Sequence, residues 1–395
     1  MTIRKEIAMA NSLFIDVHIL QTVPPSNINR DDTGSPKSAR FGGVKRARVS
    51  SQAWKKATRD LFPNYLAEES IGIRTKYLVN LIAEKACRLD PQLAEQEALD
   101  KAKDVLKKYC ERNKNKLDFE SDDSYKLKTL FFAGLSEIEA LAQCVLGQED
   151  VGQLKKKMKN KKRVFWDSRD EIDIAMFGRM VATAPDLNVD ASVQVAHAIG
   201  IGKMEPEFDY FTALDDRSPE DNAGAAMIET TEFTSSTMYR YANIDVLHLC
   251  ENLGSAQVAC RGVEAFLRSF ILSMPAGKQN SFANRTLPAA VVIQLRNTQP
   301  VSLVNAFEKP VEAWGGKSQV EIGCERLGDQ AKAIDDAFDT FPQKTLVIVA
   351  SPDAKALPDL MPGAVACNLE DAVNEVALAC SDFLAENGYQ IEGEV

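Results

Sequence analysis

The order of apolar patterning constrains this chain more than any single residue does. Residues 13–20, LFIDVHIL, place Leu13, Ile15, Val17 and Ile19 on one face, as a half-buried strand requires. After a Pro- and Asn-rich turn, Gly42-Gly43 breaks the chain before a short basic strand, VKRARVS, in which Arg46 and Arg48 share a face. Ser50 or Ser51 then offers an N-cap for a helix over about 51–61. On a wheel of about 100° per residue, Trp54, Ala57 and Leu61 fall on one side, and Gln52, Lys55, Lys56 and Arg59 on the other. From about 65 to 182 the pattern is helical and reads as an inserted all-helical subdomain. Strand-like segments return at 192–199 and 234–245, followed by an amphipathic helix at about 256–272 and a strand at 289–296. Without its insertions the order is β, α, β, β, α, β, that of a ferredoxin-like or RRM-like domain, so the expected fold class is α+β. Beyond about 300 the pattern adds a buried-looking strand, 345–351, and two helices.

Charge is distributed unevenly over that frame. Arg30 to Arg59 hold nine Lys or Arg and two Asp, a net of +7 in a 395-residue chain of formal charge −10. A local cationic surface on an acidic protein points to an extended polyanion. Lys55 and Arg59, one helical turn apart, lie about 6 Å along the axis from one another, close to the phosphate spacing of a single strand. A second basic run, KKKMKNKKR at 155–163, is either a solvated turn or a further nucleic-acid contact. The C-terminal part is acidic, with fifteen Asp or Glu against four Lys or Arg over 320–395.

Other chemistries find little support. The closest two of the eight cysteines are ten residues apart, so no zinc-ribbon spacing can be built, and reduced core thiols are expected. The three histidines, His18, His197 and His248, lack ligand spacing, and no metal or cofactor site is expected. His197 shares strand parity with Val193, Val195 and Ile199, which predicts a satisfied core histidine. Asp31-Asp32 reads as a turn or an intersubunit polar contact. Gly315-Gly316-Lys317-Ser318 lacks the first glycine of a phosphate loop, and Gly200-Ile201-Gly202 lacks the third glycine of a dinucleotide turn. No apolar run approaches the roughly 20 residues of a membrane span, and the N-terminus lacks a secretory h-region, so a cytoplasmic protein is expected.

The basic segment also carries a resemblance. Asn29-Arg30-Asp31-Asp32, Phe41-Gly42-Gly43, Arg48-Val49-Ser50-Ser51-Gln52 and Lys55 resemble the backbone subunit of the type I-E CRISPR Cascade complex, the CasC family. The likeness continues collinearly to about residue 310, through Gly178-Arg179-Met180, Ala196-His197-Ala198, Phe211-Thr212-Ala213, Tyr239-Arg240-Tyr241-Ala242-Asn243, Glu251-Asn252-Leu253-Gly254, Lys278-Gln279 and Asn305-Ala306-Phe307-Glu308-Lys309. It implies a modified RRM-like palm (12–62, 186–200 and 234–395, the last with an acidic extension), helical fingers (63–185) and an extended thumb (201–233). It further implies a non-catalytic subunit that stacks head-to-tail along the spacer of a crRNA, kinks it at intervals and presents it to target DNA. Copies of itself, other Cascade subunits and a recruited helicase-nuclease would be its partners. On this reading Arg30, Lys37, Arg46, Arg48, Ser50, Gln52, Lys55, Arg59, Lys278 and Gln279 contact RNA, with a protein contact the alternative for one of Arg46 and Arg48. Met180, Phe211 and Thr212 lie at the kinked nucleotide, with core packing the alternative for Met180 and Phe211. Lys155, Lys156, Lys157, Lys159, Lys161 and Lys162 are candidates for target DNA. The competing readings are an RNA-processing endoribonuclease on a related fold, which would need a metal or a positioned general base, His18 and His197 being the candidates to replace, and a general single-strand-binding protein.

Overall fold

The structure, a computed structural model, describes residues 12–111, 116–154, 171–213 and 227–390. The basic run at 155–163 lies outside the described residues.

The chain builds a mixed α+β fold around one large sheet. Its strands are β1 (Phe14–Ser26), β2 (Ser38–Phe41), β3 (Val44–Val49), then, after a separate pair β4 (Ile73–Thr75) and β5 (Phe131–Ala133), β6 (Val193–Val195), β7 (Ala198–Gly200), β8 (Glu207–Ala213), β9 (Met227–Asp245), β10 (Ala290–Arg296), β11 (Lys344–Val349) and β12 (Ala364–Ala366). The sheet runs β12-β11-β10-β1-β9-β7-β3-β2, with β6 and β8 also paired to β9. β1 is central because both its neighbours are antiparallel, pairing Val17 with Ile293 on one side and Ala242 on the other. Its odd residues Ile15, Val17 and Ile19 are fully buried, but so are Asp16, His18 and Leu20, because helices cover one face and the 301–361 region the other, so the strand is buried on both faces rather than half-buried. β8 and the first half of β9 form a hairpin leaving the sheet, with Phe211 opposite Glu229.

The first helix, α1 (Ser51–Leu61), has the predicted bounds, and Ser50 is its N-cap, its Oγ accepting Ala53 N–H. Trp54, Ala57 and Thr58 bury its inner face, with Thr58 taking the place expected of Leu61. α1 and the helix Ala256–Leu272, also as predicted, lie against one another. The long helix Leu369–Glu386 also packs against Ala256–Leu272. Residues 78–187 close a core of their own from α2 (Leu78–Leu89), α3 (Glu95–Cys110) and α4 (Leu135–Val145), helices rich in Leu, Ala and Ile at i, i+3 and i+4 spacing. At least 22 side chains, Leu78 through Leu187, are buried there, enough for a hydrophobic centre separate from that of the sheet. Cys110, Cys250, Cys324 and Cys380 are buried thiols, whereas Cys87, Cys144, Cys260 and Cys367 are half-buried, and no disulfide joins any of the eight.

Two glycines are fixed by geometry rather than flexibility. Gly42 and Gly43 form the two-residue turn between β2 and β3 with φ of 58° and 81°, the left-handed pair such a hairpin requires. A Cβ on Gly42 would stand 1.5 Å from the Glu308 carbonyl oxygen, so the turn presses directly on the 305–309 segment.

Candidate nucleic-acid interface

The outer face of α1 is one wall of an open cleft of about 630 Å³. Gln52, Lys55, Lys56 and Arg59 line it from the helix, and Arg74, Leu130, Phe132, Phe177 and Met180 line it from the helical part. Met180 is 83% exposed, so the core-packing alternative for it is excluded. It follows a rigid anchor. Arg179 is buried, pairs with Glu137 at 2.7 Å, and donates to the carbonyls of Leu187 and Phe132. Glu137 also accepts the Tyr109 hydroxyl at 2.6 Å. A flexible thioether thus projects from a backbone that cannot move far. Lys55 reaches over the Phe177 ring at 5.7 Å, and burial pushes its pKa below the usual ammonium value.

Buried groups hold α1 in place. Arg240 lies under the helix with its guanidinium 3.6 Å from the Trp54 ring centre and 4.6 Å from that of Phe270. It donates to Gln21 Oε1 at 2.6 Å and to the Phe270 carbonyl. Two aromatic faces and two oxygens therefore compensate a cation that has no carboxylate partner among the described residues. At the far end, Arg59 donates to Asp173 at 2.8 Å and to the Gly72 carbonyl at 3.0 Å, and stacks on Phe132 at 4.5 Å. Burial raises the Asp173 pKa, with Arg59 opposing that shift.

The N-terminal end of α1 gathers a second set. Asn29 Oδ1 accepts Ser50 N–H, Lys37 N–H donates to the Asn29 carbonyl, and Arg48 N–H donates to the Lys37 carbonyl. The 29–37 loop is thereby tied to the helix start, with Arg30 exposed and Lys37 and Arg48 half-exposed. Asp31 closes the loop as an Asx turn, its Oδ1 accepting from Thr33 and Ser35 N–H, as its turn reading expected. On the other flank, Ala53, Lys56 and Asp60 border a cleft of about 290 Å³ with Met274, Gln279 and Arg285. Lys278 sits beside Gln279 at a left-handed backbone position, φ 51°. The Phe282 ring meets Phe233 of the β8–β9 hairpin at 5.9 Å. Phe211 is 37% exposed on that hairpin, while Phe208 and Tyr210 are more exposed on its opposite face. Thr212 pairs with Ile228 in its backbone.

Three of the residues assigned to RNA contact are engaged within the protein, Arg46 in the protein contact expected of one of the Arg46–Arg48 pair. Arg46 has no exposed surface, because its guanidinium donates to the carbonyls of Gly200, Ile201, Phe307 and Glu308 at 2.7–3.0 Å. Arg59 is committed to Asp173 and Gly72, and Ser50 is buried as the helix cap. His197 departs from its expectation in the other direction. It is exposed between β6 and β7, not a core residue, and its Nδ1 accepts Ser51 N–H at 3.0 Å. Strand parity misled here because β6 and β7 are interrupted at Ala196-His197. Arg74, Arg285, Phe208 and Tyr210 join the surface without having been assigned to it, and Lys56 joins it from the helix face on which the wheel had placed it. For the first four only the aromatic alternation of EFDYFTA gave a signal, and it marks Phe208 and Tyr210.

Cationic side chains around one helix, exposed apolar groups beside it and an aromatic hairpin define a surface suited to a ribose-phosphate chain contacted without base readout. Residues 15–375 match the family described as CT1975-like protein, and the chain belongs to that family. That match runs past residue 310, where the sequence resemblance stopped. A solved chain titled "CRISPR RNA-guided surveillance complex, pre-nicking" is similar at 30% identity and a TM-score of 0.78, covering 93% of this chain and 100% of that one. Another, titled "CRISPR RNA-guided surveillance complex", is similar at 26% identity and 0.69, covering 93% and 99%. No curated protein matches.

Proposed function

We propose that this protein is a non-catalytic backbone subunit of a CRISPR Cascade complex, of the type I-E class its sequence resembles. It binds the crRNA spacer, stacks head-to-tail along it with further copies, and presents it for pairing with target DNA. The observation that carries this reading is the cleft in which Gln52, Lys55 and exposed Met180 converge, in a chain similar over 93% of its length to subunits of solved RNA-guided surveillance complexes. The strand order β10-β1-β9-β6, with α1 and Ala256–Leu272 as the two crossover helices, supports an RRM-like palm. The helical core at 78–187 and the β8–β9 hairpin support the roles of fingers and thumb.

Lys37, Arg48 and Lys55 provide phosphate contacts that carry no sequence information, as a subunit serving any spacer requires. The acidic segment 320–395 would meet the basic surface of the next copy, a heterologous contact that does not close on itself. Other Cascade subunits and a recruited helicase-nuclease complete the assembly, in the cytoplasm. His18 has no exposed surface and hydrogen-bonds Tyr239 at 2.9 Å, which argues against it as the base of an endoribonuclease. Expression in a host carrying a CRISPR array, followed by purification and sizing of the bound nucleic acid, tests the reading. Guide-length RNA is expected. Isolation free of RNA, or metal-free cleavage of precursor RNA abolished by His197→Ala, would refute it.

A further inference from the structure

We propose that His197 is a further guide-strand contact: a neutral imidazole that offers Nε2–H to an acceptor oxygen of the ribose-phosphate chain beside Lys37 and Arg48. The inference rests on the RNA-binding reading above and assigns a residue that reading leaves idle.

The geometry fixes the tautomer. Ser51 N–H, the first of α1, donates to Nδ1 at 3.0 Å, so Nδ1 holds a lone pair and the proton of the neutral ring must sit on Nε2. Nε2 has no partner among the described residues, and the side chain is exposed. β3 and β7 pair Arg48 with Ile199 and Val49 with Ala198, so His197 comes level with Ser50 at the helix start. Lys37 is joined to the same spot through Asn29, whose Oδ1 takes Ser50 N–H. Burial first, then the charges of Arg48 and Lys37, holds the imidazole below its usual pKa, so the ring stays neutral among cations. A hydrogen-bond donor oriented outward from a cationic rim, with its tautomer locked by the backbone, suits a sugar-phosphate oxygen.

The test compares full-length wild type with His197→Ala, His197→Asn and Lys37→Ala for binding of a mixed-sequence single-stranded RNA across a salt series, with thermal melting alongside. His197→Ala should weaken binding about two- to tenfold, the range of one neutral hydrogen bond, and leave the salt slope unchanged. Lys37→Ala should lower that slope by about 0.7. His197→Asn keeps an acceptor for Ser51 N–H, but its amide donor falls one atom short of the Nε2 position, so it should melt near wild type yet bind about as weakly as the alanine variant. Full binding by His197→Ala, or a slope lowered as for Lys37→Ala, overturns the proposal, the latter because it requires a charged ring. Full binding by His197→Asn overturns it too, since the effect then passes through the helix cap. If wild type and Lys37→Ala both fail to bind RNA, the RNA-binding reading itself has failed.

Discussion

Arg46→Met separates a buried scaffold from a phosphate contact. Methionine keeps most of the aliphatic stem but removes the donors that satisfy four carbonyls, those of Gly200, Ile201, Phe307 and Glu308. Leaving a buried acceptor unsatisfied costs about 1–3 kcal/mol, and the charged donors lost made bonds at the strong end of the range. Relaxation and partial solvation let the four costs overlap, so a total of about 3–5 kcal/mol is expected, as for breaking a buried ionic contact. The damage should be local as well as global. Arg46 joins β3 to β7 and to the 305–309 segment that Gly42 presses against, so backbone amides of 42–49 and 304–309 should lose hydrogen-exchange protection first. The assay is urea unfolding of the full chain with exchange mass spectrometry, and RNA binding measured where the variant is folded. A variant as stable as wild type, whose binding has lost about 0.7 of salt slope, would show that Arg46 serves phosphate after all and that this burial argument is wrong.

Lys55→Ala should weaken binding of every RNA sequence alike and lower the salt slope by about 0.7, measured by filter binding over several spacers; loss confined to some spacers would refute backbone contact. Phe211→Ala should cost about 1–3 kcal/mol in target capture, read by RNA–DNA annealing within the assembled complex, with smaller loss in guide binding. Burial pushes the Asp16 carboxyl up to about 6 despite its contact with Arg296 at 3.1 Å, so the folded chain keeps a proton that the unfolded chain sheds near 4. That group therefore stabilises the fold most below about pH 4 and its contribution falls by about 3 kcal/mol as pH rises through 6; the stability difference between wild type and Asp16→Asn should change by that amount across this window in urea titrations.

What could be read in advance follows the physics of each signal. The bounds of α1 and of Ala256–Leu272, and the inward face of β1, were legible because periodicity reports burial of apolar residues directly. The fate of each cation was not. Arg46 and Arg48 stand two apart on one strand with identical chemistry, yet one meets four carbonyls supplied from residues 200, 201, 307 and 308, and the other lies at the surface. Nothing local distinguishes them, because the deciding acceptors are more than 150 positions away in the chain. His197 was misplaced for a related reason, since alternation assumes an unbroken strand and the break at Ala196-His197 leaves no compositional trace.

The most deeply buried cations nevertheless share one chemistry. Arg46, Arg179, Arg240 and Arg296 are all buried, each with its guanidinium spread over several acceptors, and Arg59 is largely withdrawn in the same way. Lys37, Lys55 and Lys278, half-buried, and Lys56, exposed, line the proposed track together with Arg30 and Arg48. A guanidinium can satisfy up to five acceptors in a fixed plane, so it serves to clamp distant backbone segments together. An ammonium is a compact charge on a flexible stem that can follow a phosphate whose position shifts with the spacer. One basic stretch can therefore build the sheet edge through Arg46 and still leave cations for the proposed RNA track. The contrast also bears on substitution: exchanging Lys55 for Arg should preserve the salt slope, whereas exchanging Arg46 for Lys should destabilise the fold, though by no more than Arg46→Met, because three donors on one nitrogen cannot reach all four carbonyls arranged for a fork.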